Sequence, residues 1–290
     1  MKRWIAAAIL LFCSAAAAQF NGCAPGFCAP GASFVGPGDA VSGATAFYGL
    51  RAYNASYATG SNPAITIRRT SDSTTSNINI LSNGNLDVAT ATTFCNATTC
   101  FVSQIFDQVS THHLTQATTS AQPALTFNCL GALPCLTYAS ASSQNLAGTF
   151  VTPAQPATFS FVAERTGAAT FGTVVGSAST IQAGFANVAG QAYLFAGTTQ
   201  VVTASDNALH AIQAVFNGAS STMSVDGVLS GSLAAGANGV GTPLNVGGAS
   251  GNFFNGLFTE GIVYSSGLSS GNQTTLCHNQ RLYWGSGGSC

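Results

Sequence analysis

The sequence predicts an all-β sandwich or jelly roll with one or two short helices, and three observations carry that expectation. Short runs rich in Val, Ile, Phe, Tyr and Thr recur at roughly 8–12-residue spacing from residue 64 to residue 264. Gly, Asn and Ser separate these runs, and Asn83-Gly84 and Asp226-Gly227 mark two-residue hairpin turns. Hydrophobic residues make up 46% of the chain, with nineteen Phe, against 5% charged. That much apolar side chain builds a core large enough to exclude disorder. Ser, Thr, Asn and Gly then supply the hydrophilic surface in place of ions.

In order along the chain, residues 1–18 read as a secretory signal. Lys2 and Arg3 form its basic start, residues 5–12 its apolar centre, and Ala16-Ala17-Ala18 a small-residue cleavage site before Gln19. The apolar run is too short to span a bilayer, and bulky Phe12 before Cys13 argues against a lipid anchor. Residues 19–290 are expected to form a single domain, secreted or periplasmic, since no shift in composition marks a second. After a Pro/Gly-rich lead-in, Phe47, Leu50, Tyr53 and Tyr57 are spaced by three and four, which predicts a short helix with an aromatic face.

Alternation predicts strands over 64–69 and 77–81, the turn at 83–84, a following segment at 86–89, and a strand over 101–106. Further strands are expected over 124–129, 135–138, 158–164, 171–175, 181–188, 192–196, 199–203, 210–217, 221–225, 228–231, 243–246 and 254–264. Leu276, Asn279 and Leu282 fall at helical spacing, so a helix over 269–283 closes the fold.

Charge narrows the function. After residue 18 there is no lysine. Five arginines (51, 68, 69, 165 and 281) face eight carboxylates, for a net charge of about −3. A nucleic-acid binder needs many basic phosphate contacts and is excluded, and an acidic polymer is disfavoured as substrate. Neutral, hydroxyl-rich partners remain, and polysaccharides or oligosaccharides are the obvious class. No cofactor is expected. Eight cysteines remain beyond Cys13, and they fall into neighbouring pairs: Cys23 and Cys28, Cys95 and Cys100, Cys129 and Cys135, Cys277 and Cys290. Local disulfides in an oxidising compartment are the expected reading, although eight cysteines permit many connectivities. Zinc is disfavoured because the close CxxC spacing is absent. No metal site is expected, since no dense Asp/Asn/Glu cluster demands calcium.

The densest set of reactive groups lies in residues 93–117, TFCNATTCFVSQIFDQVSTHHLTQA. Asp107, Gln108, His112 and His113 are candidate substrate-binding residues there. Asp107 reads either as an acceptor for sugar hydroxyls, as a displaced catalytic acid, or as a turn cap. The histidines titrate near neutrality, but adjacent residues of an extended segment face opposite ways. Glu260, Glu164 and Asp226 complete the list of candidate acids, each with a structural reading beside the chemical one. Glu260 would pair with Arg281 or a backbone group, Glu164 with Arg165 at the surface, and Asp226 would make the hairpin turn. No GxSxG elbow supports serine-hydrolase chemistry. Asn54, Asn96 and Asn272 match the N-glycosylation acceptor pattern.

Two parts of the chain resemble known families. The segments HAIQAVFNGASSTMSVDGVLSG and PLNVGG…FFNGLFTEGIVYSSGLSS are similar to a concanavalin-like, laminin-G-type jelly roll. Residues 48–117, with YNASYATG, RTSD, TFCNATTC and IFDQVSTHHLTQA, resemble the α-L-arabinofuranosidase B catalytic domain, glycoside hydrolase family 54. The resemblance implies a concanavalin A-like sandwich that acts on or binds arabinose-containing plant polysaccharide, of the arabinan or arabinoxylan class. It places the family's nucleophile Glu before a Leu-Phe run, where Gln191 stands ahead of Leu194-Phe195. It places the acid/base Asp after a Gly-Gly pair, where Ala249 follows Gly247-Gly248. The family's adjacent Cys-Cys pair is also missing. A glycosidase and a noncatalytic glycan-binding or surface-structural jelly roll therefore both remain open, because Gln and Ala cannot supply carboxylate chemistry.

Overall fold

A computed structural model describes residues 34–150, 153–168, 170–178, 180–288 and 290. The expected signal at 1–18 and the Cys23–Cys28 pair lie outside them. The described residues form an all-β jelly-roll sandwich of antiparallel strands with three α-helices, Pro37–Ala40, Val88–Phe94 and Ser270–Trp284.

One layer runs Thr222–Val225, His210–Phe216, Ala157–Arg165, Gly256–Tyr264 and Ala44–Gly49, each paired to the next. The other begins with the meander Thr199–Thr203, Gln191–Phe195, Ile181–Phe185 and Gly172–Ser177. It continues through Leu244–Val246, Leu146–Gly148, Leu114–Thr115, Cys100–Ile105, Pro63–Arg69 and Thr75–Asn79. Leu133–Tyr138 connects the layers by pairing with Gly256–Tyr264 on one side and Ala124–Leu130 on the other.

Period-two alternation decides what faces inward. Phe159, Phe161, Ile212, Phe216, Ala183, Phe185, Leu194 and Phe254 are buried in the common core, with Phe185 and Phe254 stacked at 5.9 Å. The helix Ser270–Trp284 covers the outer face of the first layer. There Gln280 accepts from Gln213 Nε2 at 2.9 Å and donates to Ser160 Oγ at 3.0 Å. Ser269 caps this helix through Asn272 N, and Gly285 ends it in the left-handed conformation.

The structure corrects one expected helix. Residues 47–57 begin inside the strand Ala44–Gly49 and continue as turns, so the three-and-four spacing is coincidental. Phe47 and Tyr53 do pack together at 5.4 Å, but across a bend and not along a helix face. The segment 86–89 contributes only an isolated bridge at Leu86 before the helix Val88–Phe94, which Asp87 caps through Thr90 N. Disulfides join Cys95 to Cys100, Cys129 to Cys135 and Cys277 to Cys290. Among the described residues no helix is long and apolar enough to cross a membrane.

Candidate functional site

Of the candidate polar side chains in residues 107–113, Asp107, Gln108 and His113 are engaged with backbone. Asp107 is buried and accepts from Phe47 N at 3.1 Å, Val109 N at 3.0 Å and the Ser110 hydroxyl. Gln108 accepts from Tyr53 N at 2.8 Å and donates to the carbonyls of Gly49 and Arg51. Together they lash this loop to the strand Ala44–Gly49 and the turn after it. His113 Nδ1 accepts from Asp107 N, with its ring edge-on to Phe106. His112 packs edge-on to Phe150 instead, at the wall of a separate apolar pocket of about 280 Å3. The two histidines do not converge on one centre.

Glu260 is fully buried, and its partner is Arg51, not Arg281. Arg51 grips the carboxylate through Nε at 2.6 Å and Nη2 at 2.9 Å, and Trp284 Nε1 donates to it at 2.7 Å. It stands at a bulge where the strand Gly256–Tyr264 changes partner from Leu133–Tyr138 to Ala44–Gly49. Gly49 opposes it, and a Cβ there would lie 3.1 Å from Glu260 Cβ and closer still to the Phe47 ring. Arg165 likewise does not pair with Glu164. It is buried and holds Asp206 through Nε at 2.8 Å and through Nη2. Glu164 stays half-buried, and burial raises its carboxyl above the ordinary range while the His210 charge opposes that rise. Asp226 and Gly227 have φ of 51° and 84° and make the two-residue turn between Val225 and Val228.

A pocket of about 250 Å3 opens on the outer face of the second layer, lined by Phe171, Gln182, Tyr193, Phe195, Thr199, Ser250 and Asn252. The meander builds its floor. Gln182 pairs with Phe195, and Gly184 stands between Thr173 on one neighbouring strand and Tyr193 on the other. A Cβ at Gly184 would meet Gly172 O at 2.0 Å, so the glycine lets the strands close and Thr173 Oγ1 lie 2.7 Å from the Tyr193 hydroxyl. Gln182 Oε1 accepts from Tyr193 at 3.0 Å, Thr173 at 3.1 Å and Asn252 Nδ2 at 3.3 Å, which fixes its carboxamide. Burial raises the Tyr193 phenol far above its ordinary value, so it stays a neutral donor. Phe171 stands edge-on to Tyr193 at 5.2 Å and forms an aromatic wall.

The rim comes from a hairpin. Gly248–Ala249 pairs with Asn252–Phe253 around Ser250 and Gly251, both at positive φ, and Phe253 bridges Thr173, which sets Asn252 over Gln182. Gln191 lies on the same face of its strand as Tyr193 and Phe195 by alternation, and Ala249 precedes the rim residue Ser250. The described lining holds two carboxamides, two hydroxyl side chains and three aromatics, but no carboxylate. No group of three or more His, Cys, Asp or Glu able to hold a metal occurs among the described residues. The strands expected over 181–188 and 192–196 hold Gln182 and Tyr193, which the sequence does not single out, and the hairpin that carries Asn252 lies outside the expected strands. Alternation from Gln191 would have found Tyr193, but Asn252 reaches the site only through hairpin geometry.

This architecture, a jelly-roll sandwich with a ligand-sized pocket on one open face, defines a concanavalin-like β-sandwich domain. Residues 39–132 match the family described as "Alpha-L-arabinofuranosidase B, catalytic", and the chain resembles that glycoside hydrolase family 54 domain. An arabinofuranosidase complexed with arabinofuranosyl-α-1,2-xylobiose superposes with a TM-score of 0.65 at 18% identity, covering 86% of this chain and 65% of that one. Two structures of a family 54 α-L-arabinofuranosidase superpose with TM-scores of 0.58 over the same shares. One is a Glu-to-Gln mutant soaked with 4-nitrophenyl α-L-arabinofuranoside, at 18% identity. The other is soaked with a cyclic sulfate inhibitor, at 17% identity. The chain thus spans 65% of the length of these solved proteins. Among curated proteins none matches by sequence.

Proposed function

We propose that this chain is an exported carbohydrate-binding domain that holds a neutral, arabinose-containing glycan in the Gln182 pocket without hydrolysing it. One observation carries the reading. The pocket is lined from the strand Gln191–Phe195 and the hairpin 248–253 with no carboxylate among its described lining residues, and the sequence resemblance puts Gln191 and Ala249 on these two segments where the family's acids are expected. Retaining glycosidases need two carboxyl groups about 5–5.5 Å apart across the scissile bond. Glu260 and Asp107 are occupied in structural bonds, and Asp226 makes a turn.

The pocket retains the chemistry of recognition. It is mostly apolar with a few fixed polar groups, and it is smaller than the roughly 300–1,000 Å3 typical of drug-sized ligands, room for one sugar residue. With its oxygen committed to three donors, Gln182 has its amide N–H groups left to offer a ring or hydroxyl oxygen. The ligands carried by the superposed arabinofuranosidases favour an arabinofuranosyl unit as that sugar.

Calorimetric titration with arabino-oligosaccharides tests this. The expected outcome is saturable binding by the wild-type chain, weakened about tenfold or more in Gln182→Ala, equivalent to losing one well-placed hydrogen bond. No 4-nitrophenol should be released from 4-nitrophenyl α-L-arabinofuranoside. Turnover by the wild-type chain would overturn the noncatalytic reading and favour the hydrolase instead, with half-exposed Glu164 the first acid to substitute.

A further inference from the structure

Outside the pocket, one cluster of titratable groups is built closely enough to act. His210 lies on the inward face of His210–Phe216, beside the Phe185 ring at 6.4 Å. Its Nδ1 is 2.5 Å from Asp226 Oδ2, and Asp226 Oδ1 accepts from Ala211 N at 2.9 Å. Its Nε2 is 2.7 Å from the carbonyl oxygen of Ser205 and 3.3 Å from the hydroxyl of the same residue.

Ser205, His210 and Asp226 are the residue types of a nucleophile, base and orienter. A base, however, must direct a lone pair at the serine hydroxyl. Here the nearer neighbour of Nε2 is a carbonyl oxygen, which only accepts, so Nε2 carries a proton. The carboxylate on Nδ1 also only accepts. Both ring nitrogens therefore face acceptors, an arrangement that favours the imidazolium. The arrangement is a charged fastening, with no base available for the serine.

What it fastens leads to the pocket. Ser205 begins a loop in which Asp206 Oδ2 accepts from Gly190 N at 3.1 Å, while Asp206 Oδ1 holds Arg165. Arg165 also donates to the carbonyls of Ala186 and Val188, and its own carbonyl accepts from Asn207 N at 3.0 Å. Ala204 N donates to Gly190 O at 2.8 Å. Gly190 directly precedes Gln191–Phe195, the strand that supplies Tyr193 and Phe195.

We propose that His210 is a proton-operated clasp, pinning the 204–209 loop to the Asp226 turn when charged and thereby holding the hairpin that forms the sugar pocket. The part concerning the pocket rests on the function proposed above; the clasp itself does not.

The charges facing His210 support the sign. Asp226 and Glu164 favour its charged form. Arg165, over the Phe185 ring, is already paired with Asp206. The tail residues Gly287, Gly288 and Cys290 pack on the Asp226 turn, and Cys290 is held in its disulfide. Burial lowers the His210 pKa, but the Asp226 bond, the Ser205 carbonyl and the two carboxylate charges together raise it above the ordinary value. The fastening is thus fully present below about pH 6.5 and is lost as pH rises through the raised value.

Imidazole NMR titration and amide exchange on the whole chain, with and without an arabino-oligosaccharide, provide the test. The informative variant is Asp226→Asn, because Asn accepts the positive φ of this turn and can keep one oxygen for Ala211 N while removing the negative acceptor that faces His210. Wild-type His210 should titrate above about 6.5, and at a lower pH in Asp226→Asn. Protection factors at Gly190 and Asn207, corrected for intrinsic exchange, should fall about tenfold as wild-type His210 loses its proton, one unit of pKa being a tenfold change. In His210→Gln they should be low at every pH. A His210 midpoint at or below about 6.5, or protection at Gly190 that ignores the titration, would overturn the clasp. Protection that follows His210 without sugar binding at any pH would support the clasp and defeat the pocket reading. Sugar affinity that stays flat while protection changes would overturn the coupling between them.

Discussion

Glu260 and Arg51 are both fully buried, and opposite charges placed there attract in a medium that hardly screens them. Removing one partner strands the other, so Glu260→Gln should lower stability by about 3–5 kcal/mol. The double variant Arg51→Met, Glu260→Leu should cost less than that single change, since it leaves no unpaired charge. Urea unfolding with an unchanged m-value reads both, and a single variant within 1 kcal/mol of wild type, roughly the value of an exposed pair, would refute the assignment. At this scale the sequence was readable only in part. FTEGIVY set Glu260 among apolar neighbours, so its burial could be anticipated, but Arg51 is 209 residues away and no local pattern names such a partner. Asp107 misled for the opposite reason. Polar residues were dense around it because the loop needs acceptors for backbone N–H groups, and that need looks in sequence like a site.

The elements were more legible, because alternation and turn residues act over a few positions. The strand Ile181–Phe185 follows from a period-two pattern, and the closing helix follows from its spacing. The expected helix over residues 47–57 failed because the apolar residues Phe47, Leu50, Tyr53 and Tyr57 serve a strand followed by turns, a case that spacing alone cannot separate. Gly184 is the element-level device that matters most to the pocket. It lies mid-strand, where glycine ordinarily weakens a sheet, and repays this by letting Tyr193 reach Thr173 across it. Gly184→Ala would drive a Cβ against the Gly172 carbonyl. The expected loss is about 1–3 kcal/mol, as for other overpacked sites, together with weaker sugar binding because Gln182 loses its two hydroxyl donors. Wild-type stability and affinity in this variant would show that the strands have slack there and that the pocket does not depend on their close approach.

The whole molecule explains why recognition should be insensitive to salt. Five arginines oppose eight carboxylates after residue 18, and the buried or nearly buried Arg51 and Arg165 are taken up by Glu260 and Asp206. Little charge of either sign is left to steer a ligand, and none lines the pocket. Screening acts on exposed charges over about 10 Å at 0.1 M salt, so a site of amides, hydroxyls and rings offers it nothing to act on. The affinity for a neutral arabino-oligosaccharide should therefore change by less than about twofold between roughly 0.05 and 0.5 M NaCl, although the Debye length shrinks about threefold across that range. A uronic-acid-bearing oligosaccharide should bind more weakly than the neutral one and gain affinity as salt rises, since the net-negative chain repels it. Neutral-sugar affinity that collapses with salt would mean that an ionic contact carries recognition, and the site would then have to be sought near the exposed Arg69–Asp72 pair or half-buried Glu164 instead of around Gln182.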